Sequence, residues 1–294
     1  MRASTSTARI ITAVIGLIAA PIGLGLLAEG GGRWQFALVA ANSGMDIGGG
    51  LAVPLIQMTI GILLLVGVVV TGIWSSAGLL TAGALGLIAI ILAIAPALTM
   101  GLYRLFANSG TSGWFDALMM GLPLYILPTF GGLGLALMAL RRHPAPLPVG
   151  GVIGGLIGIP LALLAGGWVL AWGNGVVYRL LAQQLRFEVP PLALLALIGG
   201  TLLVVGALAA VRWSPYALVL PAVVLLVFTV LQAAAPQVAF PLLRPLGMDA
   251  IGVITQVLTV GVSAALVAIY FAFTATAAIV RHRTVRVVEP APLP

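Results

Sequence analysis

Arg104 with Asp116, and again Arg244 with Asp249, are the charged residues that recur in the same order in both halves of the chain. A guanidinium and a carboxylate supplied twice would make an outward vestibule able to hold an anionic headgroup or to pass protons. The plainer account needs no ligand, because aspartate at a helix start caps free N–H groups and suits the positive end of the helix dipole. These four are the candidate ligand residues. Other chemistry lacks its central groups. With no cysteine there is no thiolate nucleophile, no thiolate metal site and no disulfide framework. His143 and His282 stand alone, so no histidine pair and no HExxH helix exists to hold a metal. Neither a GxSxG elbow nor a Walker A sequence is present, and Asp46, Asp116 and Asp249 stand in no motif that would make them glycosyl-transfer acids. The expectation is a protein that is not an enzyme, with no catalytic residue, no metal and no cofactor.

The elements that carry these residues are set by hydrophobicity. Of 294 residues, 62% are hydrophobic and 6% charged, and the mean hydropathy is +1.23. A soluble domain carries about 25% charged residues, so a water-exposed globule is excluded. Continuous apolar runs lie at about 10–28, 52–73, 77–98, 116–140, 149–172, 191–211, 216–235 and 250–280, each near the ~20 residues that cross a bilayer as helix. They do not alternate, which excludes the dyad pattern of a membrane barrel. The fold class is therefore an all-α polytopic membrane protein with eight transmembrane helices. The net charge of +7 comes from arginine spread between the runs, which reads as a topology signal and lipid-phosphate contact, with no nucleic acid as partner.

Sliding the sequence on itself by 139 residues aligns Gly16, Leu17, Ile18, Pro21 and Leu24 with Gly155, Leu156, Ile157, Pro160 and Leu163. The same offset aligns Gly61 and Gly67 with Gly200 and Gly206, and Trp74-Ser75 with Trp213-Ser214. It drifts by one at Arg104 and Arg244, and the loop then shortens so that Asp116 matches Asp249. Constant offset through glycine, proline and Trp-Ser reads as a duplication. An even number of spans returns the chain to its starting side, so the expected plan is two parallel four-helix repeats related by an axis along the membrane normal. The expected boundaries are a tail over 1–9, a first repeat over 10–140, a linker over 141–148, a second repeat over 149–280 and a tail over 281–294. The first run resembles a signal peptide in charge and length, but its internal counterpart cannot be cleaved, so it is expected to remain.

Local signals have plain readings. Gly150, Gly154 and Gly158, like Gly78, Ala82 and Gly86, make small-residue faces suited to close helix packing. Pro21 and Pro160 predict kinks at matching depth, and Pro123 and Pro128 predict a kink in the fourth span. Trp74 and Trp213 predict interfacial anchors. Residues 29–50 read as a Gly-rich external connection, and 174–188 as an amphipathic helix on the outer leaflet. No span carries a charge deep in the hydrocarbon, and Gln57, Gln232 and Gln256 are the only larger polar groups there.

Two functional readings follow. The first is a non-enzymatic accessory, assembly or scaffold component of a membrane complex, with membrane lipids and other membrane proteins as partners. The second is a small-molecule or lipid transporter with its site between the repeats. The arginine-only, Ala/Gly/Leu/Val-rich composition points to a GC-rich bacterial genome and thus to a bacterial plasma (inner) membrane. Eight arginines fall on the side of the N-terminus (2, 9, 141, 142, 212, 281, 283, 286) against five opposite (33, 104, 179, 186, 244), which places both termini in the cytoplasm. Reporter fusions after residue 145 and at the C-terminus should both read cytoplasmic; an external reading at either overturns this topology.

Overall fold

The computed structural model describes residues 5–42, 51–106, 121–142, 149–184, 187–234 and 261–286. Among them it is helical, without strands, and eight segments are long and apolar enough to cross a membrane. The helices are α1 (Ser6–Asn42), α2 (Ala52–Thr71), α3 (Ala77–Ile94), the short α4 (Pro96–Phe106) and α5 (Leu122–Arg142). After these come α6 (Val149–Gln184), α7 (Pro191–Ala209), two 3-10 turns (Ala210–Trp213 and Pro215–Leu218), α8 (Val219–Ala234) and α9 (Val262–Arg286). Lipid has no water to satisfy free N–H and C=O groups, so continuous helix is what such apolar runs must form.

Two expected connections are helix instead. Residues 29–42 continue α1 without a break through Gly30, Gly31 and Gly32, and 174–184 continue α6. Neither is a separate loop or a separate surface helix. Backbone hydrogen bonding in a helix does not depend on side-chain polarity, and packing against α2 and α7 sustains both helices past the apolar run. Pro21 and Pro160 lie inside these helices, which run on through them. Pro123 is the second residue of α5, where a missing N–H costs nothing, so only Pro128 is interior to that helix. The third span stops early: Ala95 leaves the helical region before Pro96, as a residue preceding proline tends to, and the Thr99 hydroxyl donates to the orphaned Leu92 carbonyl at 2.7 Å.

In the first half α1 lies along α2 and α3, and α3 lies along α5. In the second half α6 lies along α7, and α8 along α9. The halves join reciprocally: α5 packs on α7, α9 packs on α2, and α5 packs on α9. Both joining helices start from a glycine with positive φ, Gly121 at 80° and Gly261 at 77°, a conformation that costs other residues strain. Each carries an arginine in its last two turns, beside the turn between its own half's second and third spans. Arg141 donates to the Trp74 carbonyl at 3.1 Å and to the Gly72 carbonyl, and Arg281 lies within electrostatic reach of Tyr216.

Helices approach where side chains vanish. Gly16 meets the Gly78 carbonyl and Gly83 meets the backbone of Gly131. A side chain on Gly61 would come within 2.7 Å of the Gly23 carbonyl and the Leu27 nitrogen. Overpacking such a contact costs about 1–3 kcal/mol. Gly61→Val should therefore lower the melting temperature of the detergent-purified protein, whereas Gly67→Val, with no described atom within 4 Å of its new carbon, should leave it within error.

Candidate functional site

Of the four candidate ligand residues, only Arg104 lies within the described structure. It is exposed in the last turn of α4, where a cation suits the negative end of the helix dipole. Asp116, Arg244 and Asp249 lie outside the described residues, as do Asp46, His143 and Gln256. The helices that the two aspartates were expected to open begin later, at Leu122 and Val262. Gly121 and Gly261 give a different register from that of the aspartates. The glycines stand 140 residues apart, but Asp116 precedes its glycine by five residues and Asp249 by twelve. No group of three or more potential metal ligands occurs among the described residues.

The polar groups that the helices do gather lie where α5, α6 and α9 meet. Thr129 Oγ1 donates to the Tyr125 carbonyl one turn back at 2.8 Å and accepts from the Tyr270 hydroxyl of α9. A threonine oxygen has one proton and two lone pairs, so it can do both at once. On the other side, the Asn174 amide of α6 lies against the Tyr125 hydroxyl, and it occupies the space that a side chain at Gly121 would need. The chain at Gly121 thus needs glycine twice, for its φ and for Asn174. Farther along α9, the Thr229 and Ser263 hydroxyls share a hydrogen bond at 2.7 Å between α8 and α9. Tyr125, Thr129, Asn174, Ser263 and Tyr270 are all buried. These groups are neutral and face one another across helices, a contact that holds helices together in lipid.

Sequence reasoning favoured charged residues and passed over this seam. A readable signal existed: at an offset of 140, Gly121, Phe130, Leu133 and Arg141 match Gly261, Tyr270, Phe273 and Arg281. Following the aspartates hid it. The glutamines are less committed, with Gln57 Oε1 enclosed in α2 without a partner and Gln232 half-buried in α8.

Among the described residues, hollows open beside α1 and beside α6, and both are apolar. One, of about 200 Å³, lies beside Pro21 of α1 and is closed by Ile88 and Leu92 of α3 and by Pro123 and Leu127 of α5. The other, of about 370 Å³, is a groove along the glycines of α6, walled by Ala207, Ala210 and Trp213. Each is lined within one half of the chain. At the junction between halves Phe130 and Phe273 are both at 0% exposure.

With this geometry in hand, the chain matches no protein-family model, no curated protein and no solved structure.

The Thr129–Tyr270 bond should be measurable as a coupling. Hydrogen bonds between membrane helices average about 0.6 kcal/mol and reach about 1.7. A double-mutant cycle of Thr129→Val and Tyr270→Phe should return a value in that range in unfolding assays, and additive single effects would show that the pair does not act as a unit.

Proposed function

We propose that this chain is a non-enzymatic integral membrane protein, acting as an accessory, assembly or scaffold component of a membrane complex. The observation that carries the reading is the filled seam between halves. A carrier with its site between two repeats needs space there, and Phe130, Phe273 and their neighbours occupy it. The Thr129 and Thr229 hydroxyls beside it bond within the protein, and the buried Tyr125 hydroxyl, which makes no hydrogen bond of normal geometry, faces Asn174. The Arg141-capped turn and two exposed tryptophans, Trp74 and Trp213, lie at the end that holds the termini. A membrane partner or lipid headgroups meet that end first.

The same reading includes the duplication. It is supported by the paired glycines and arginines at the two ends of α5 and α9, by Pro21 and Pro160 inside equally long helices, and by the reciprocal contacts of α5 with α7 and of α9 with α2. An interface in which each half offers the same helix to the same groove is what a two-fold relation generates. We place the protein in a bacterial plasma membrane with both termini in the cytoplasm, on the arginine asymmetry.

Isolation in mild detergent, followed by protein and lipid mass spectrometry, tests the assignment. A defined membrane protein recovered in fixed ratio with this chain is the expected result. Recovery of this chain without other proteins, together with solute or lipid uptake in reconstituted vesicles, would transfer the assignment to the transporter reading.

A further inference from the structure

At the 139-residue offset the two tight turns at the end that holds the termini differ in kind. Ile73, Trp74, Ser75 and Ala77 of the first turn correspond to Arg212, Trp213, Ser214 and Tyr216 of the second. The tryptophan and the serine are kept. An aliphatic side chain and a methyl group have become a guanidinium and a phenol. In the first half the arginine at the turn is Arg141, and it donates to the Gly72 and Trp74 carbonyls. Arg281 takes the corresponding position on α9, within electrostatic reach of Tyr216. Arg212 is therefore an addition.

Arg212 does none of the capping that Arg141 does. Its guanidinium lies over the Trp213 ring, 4.4 Å from the centroid, and among the described residues that ring is its partner. Stacking occupies the flat face of the guanidinium, while its five N–H donors lie in the plane and aim past the ring. Trp213 is 48% exposed and Tyr216 59%, so the stacked pair and the phenol open outward rather than into the bundle. The field there has one sign. Among the described residues this end carries Arg9, Arg141, Arg142, Arg212, Arg281 and Arg283, and the two carboxylates, Glu29 and Glu188, stand at the opposite end. An interfacial anchor needs none of this, since Trp74 sits in the equivalent turn beside isoleucine and alanine.

We propose that the turn over 212–216 binds the phosphate of an anionic glycerophospholipid from the leaflet on the side of the termini. Planar guanidinium donors match phosphate oxygens two at a time, and the Tyr216 hydroxyl adds a neutral donor beside them. Trp213 is also a wall of the apolar groove of about 370 Å³ beside α6, so the acyl chain that leaves a phosphate at Arg212 meets apolar surface on the same indole. A free phosphate ion would use the guanidinium and not that wall; a diacyl lipid uses both. The inference takes the duplication as its comparison, and it rests on the component reading above in naming a lipid partner for that component.

The test is a titration of the detergent-purified protein with phosphatidylglycerol or phosphatidylcholine, read by native mass spectrometry at about 0.15 M salt, where exposed charges are screened beyond ~8 Å. One phosphatidylglycerol per chain should bind at least tenfold more tightly than phosphatidylcholine. Arg212→Gln should weaken it about tenfold and Tyr216→Phe about threefold, as the loss of a charge-assisted and of a neutral hydrogen bond requires. Arg142→Gln and Arg283→Gln remove the same charge from the same end and should change it less than about twofold. Thermal unfolding without added lipid should match the parent in Arg212→Gln, which separates a lost site from a lost fold. Equal losses at 212, 142 and 283 would reduce the site to diffuse attraction and overturn it. So would equal affinity for the two lipids, or displacement of the lipid by millimolar inorganic phosphate. A selective lipid with no co-isolated protein keeps the site and removes the component reading; a co-isolated protein with no lipid preference does the reverse.

Discussion

Helices in hydrocarbon gain little by hiding apolar surface from a solvent that is itself apolar, so this fold depends on how closely backbones can meet. Glycine sets that distance. Gly16 against Gly78, Gly23 against Gly61 and Gly83 against Gly131 fasten α1, α2, α3 and α5 into the first half. Dispersion between atoms in contact accumulates steeply as the gap closes, and these contacts admit no added carbon. Across the seam the closeness recurs with larger partners, where Gly132 of α5 receives Leu208 and Val205 of α7, and within the second half Gly200 of α7 receives Leu170 of α6.

Given that constraint, the polar residues have an orderly distribution. Hydroxyls bond mainly to carbonyls of their own helix, as Thr71 does to Val68 and Thr201 to Leu197. A few reach across, at Thr81 to α1, Thr129 to Tyr270 and Thr229 to Ser263. Charge is held at the ends. Glu29 and Arg33 pair at 2.6 Å along the far end of α1, and Arg212 stacks on Trp213 at 4.4 Å from the ring centre. Such exposed pairs add little stability, but they keep these charges out of the helix interior, where lipid would penalise an ion heavily.

What the sequence made legible follows the same physics. Span number and position came from apolar length, a property of the chain alone, and the starts of α2 and α7 at residues 52 and 191 match it. Helix ends at residues 42 and 184 did not come through, because Gly30, Gly31, Gly32 and Gly175 lower helix propensity locally while contacts with α2 and α7 override it. The small-residue face of α3 reads as packing, and Gly78 and Gly86 do meet α1 and α5; the equally clear face of α6 meets no neighbour among the described residues. Pattern states that a face is suited to contact, and only coordinates state whether a partner is there. The vestibule of arginine and aspartate rested on recurrence of residue type, whereas the polar junction of Tyr125, Thr129, Asn174 and Tyr270 uses different residues in the two halves, and the match that leads to it runs through Gly121, Phe130 and Arg141 rather than through its polar groups.

The length of α1 and α6 has a mechanical consequence. At about 1.5 Å per residue, their 37 and 36 residues make rods of about 55 Å, while the hydrocarbon layer is about 30 Å thick. Even a tilt of about 40° leaves each rod more than 40 Å tall along the membrane normal. Both start from the end that carries the termini, so their surplus turns stand beyond the same opposite face, as two stiff posts tied laterally to α2 and α7. Force applied to the tip of either post is carried down one unbroken helix, through Pro21 or Pro160, to the opposite surface.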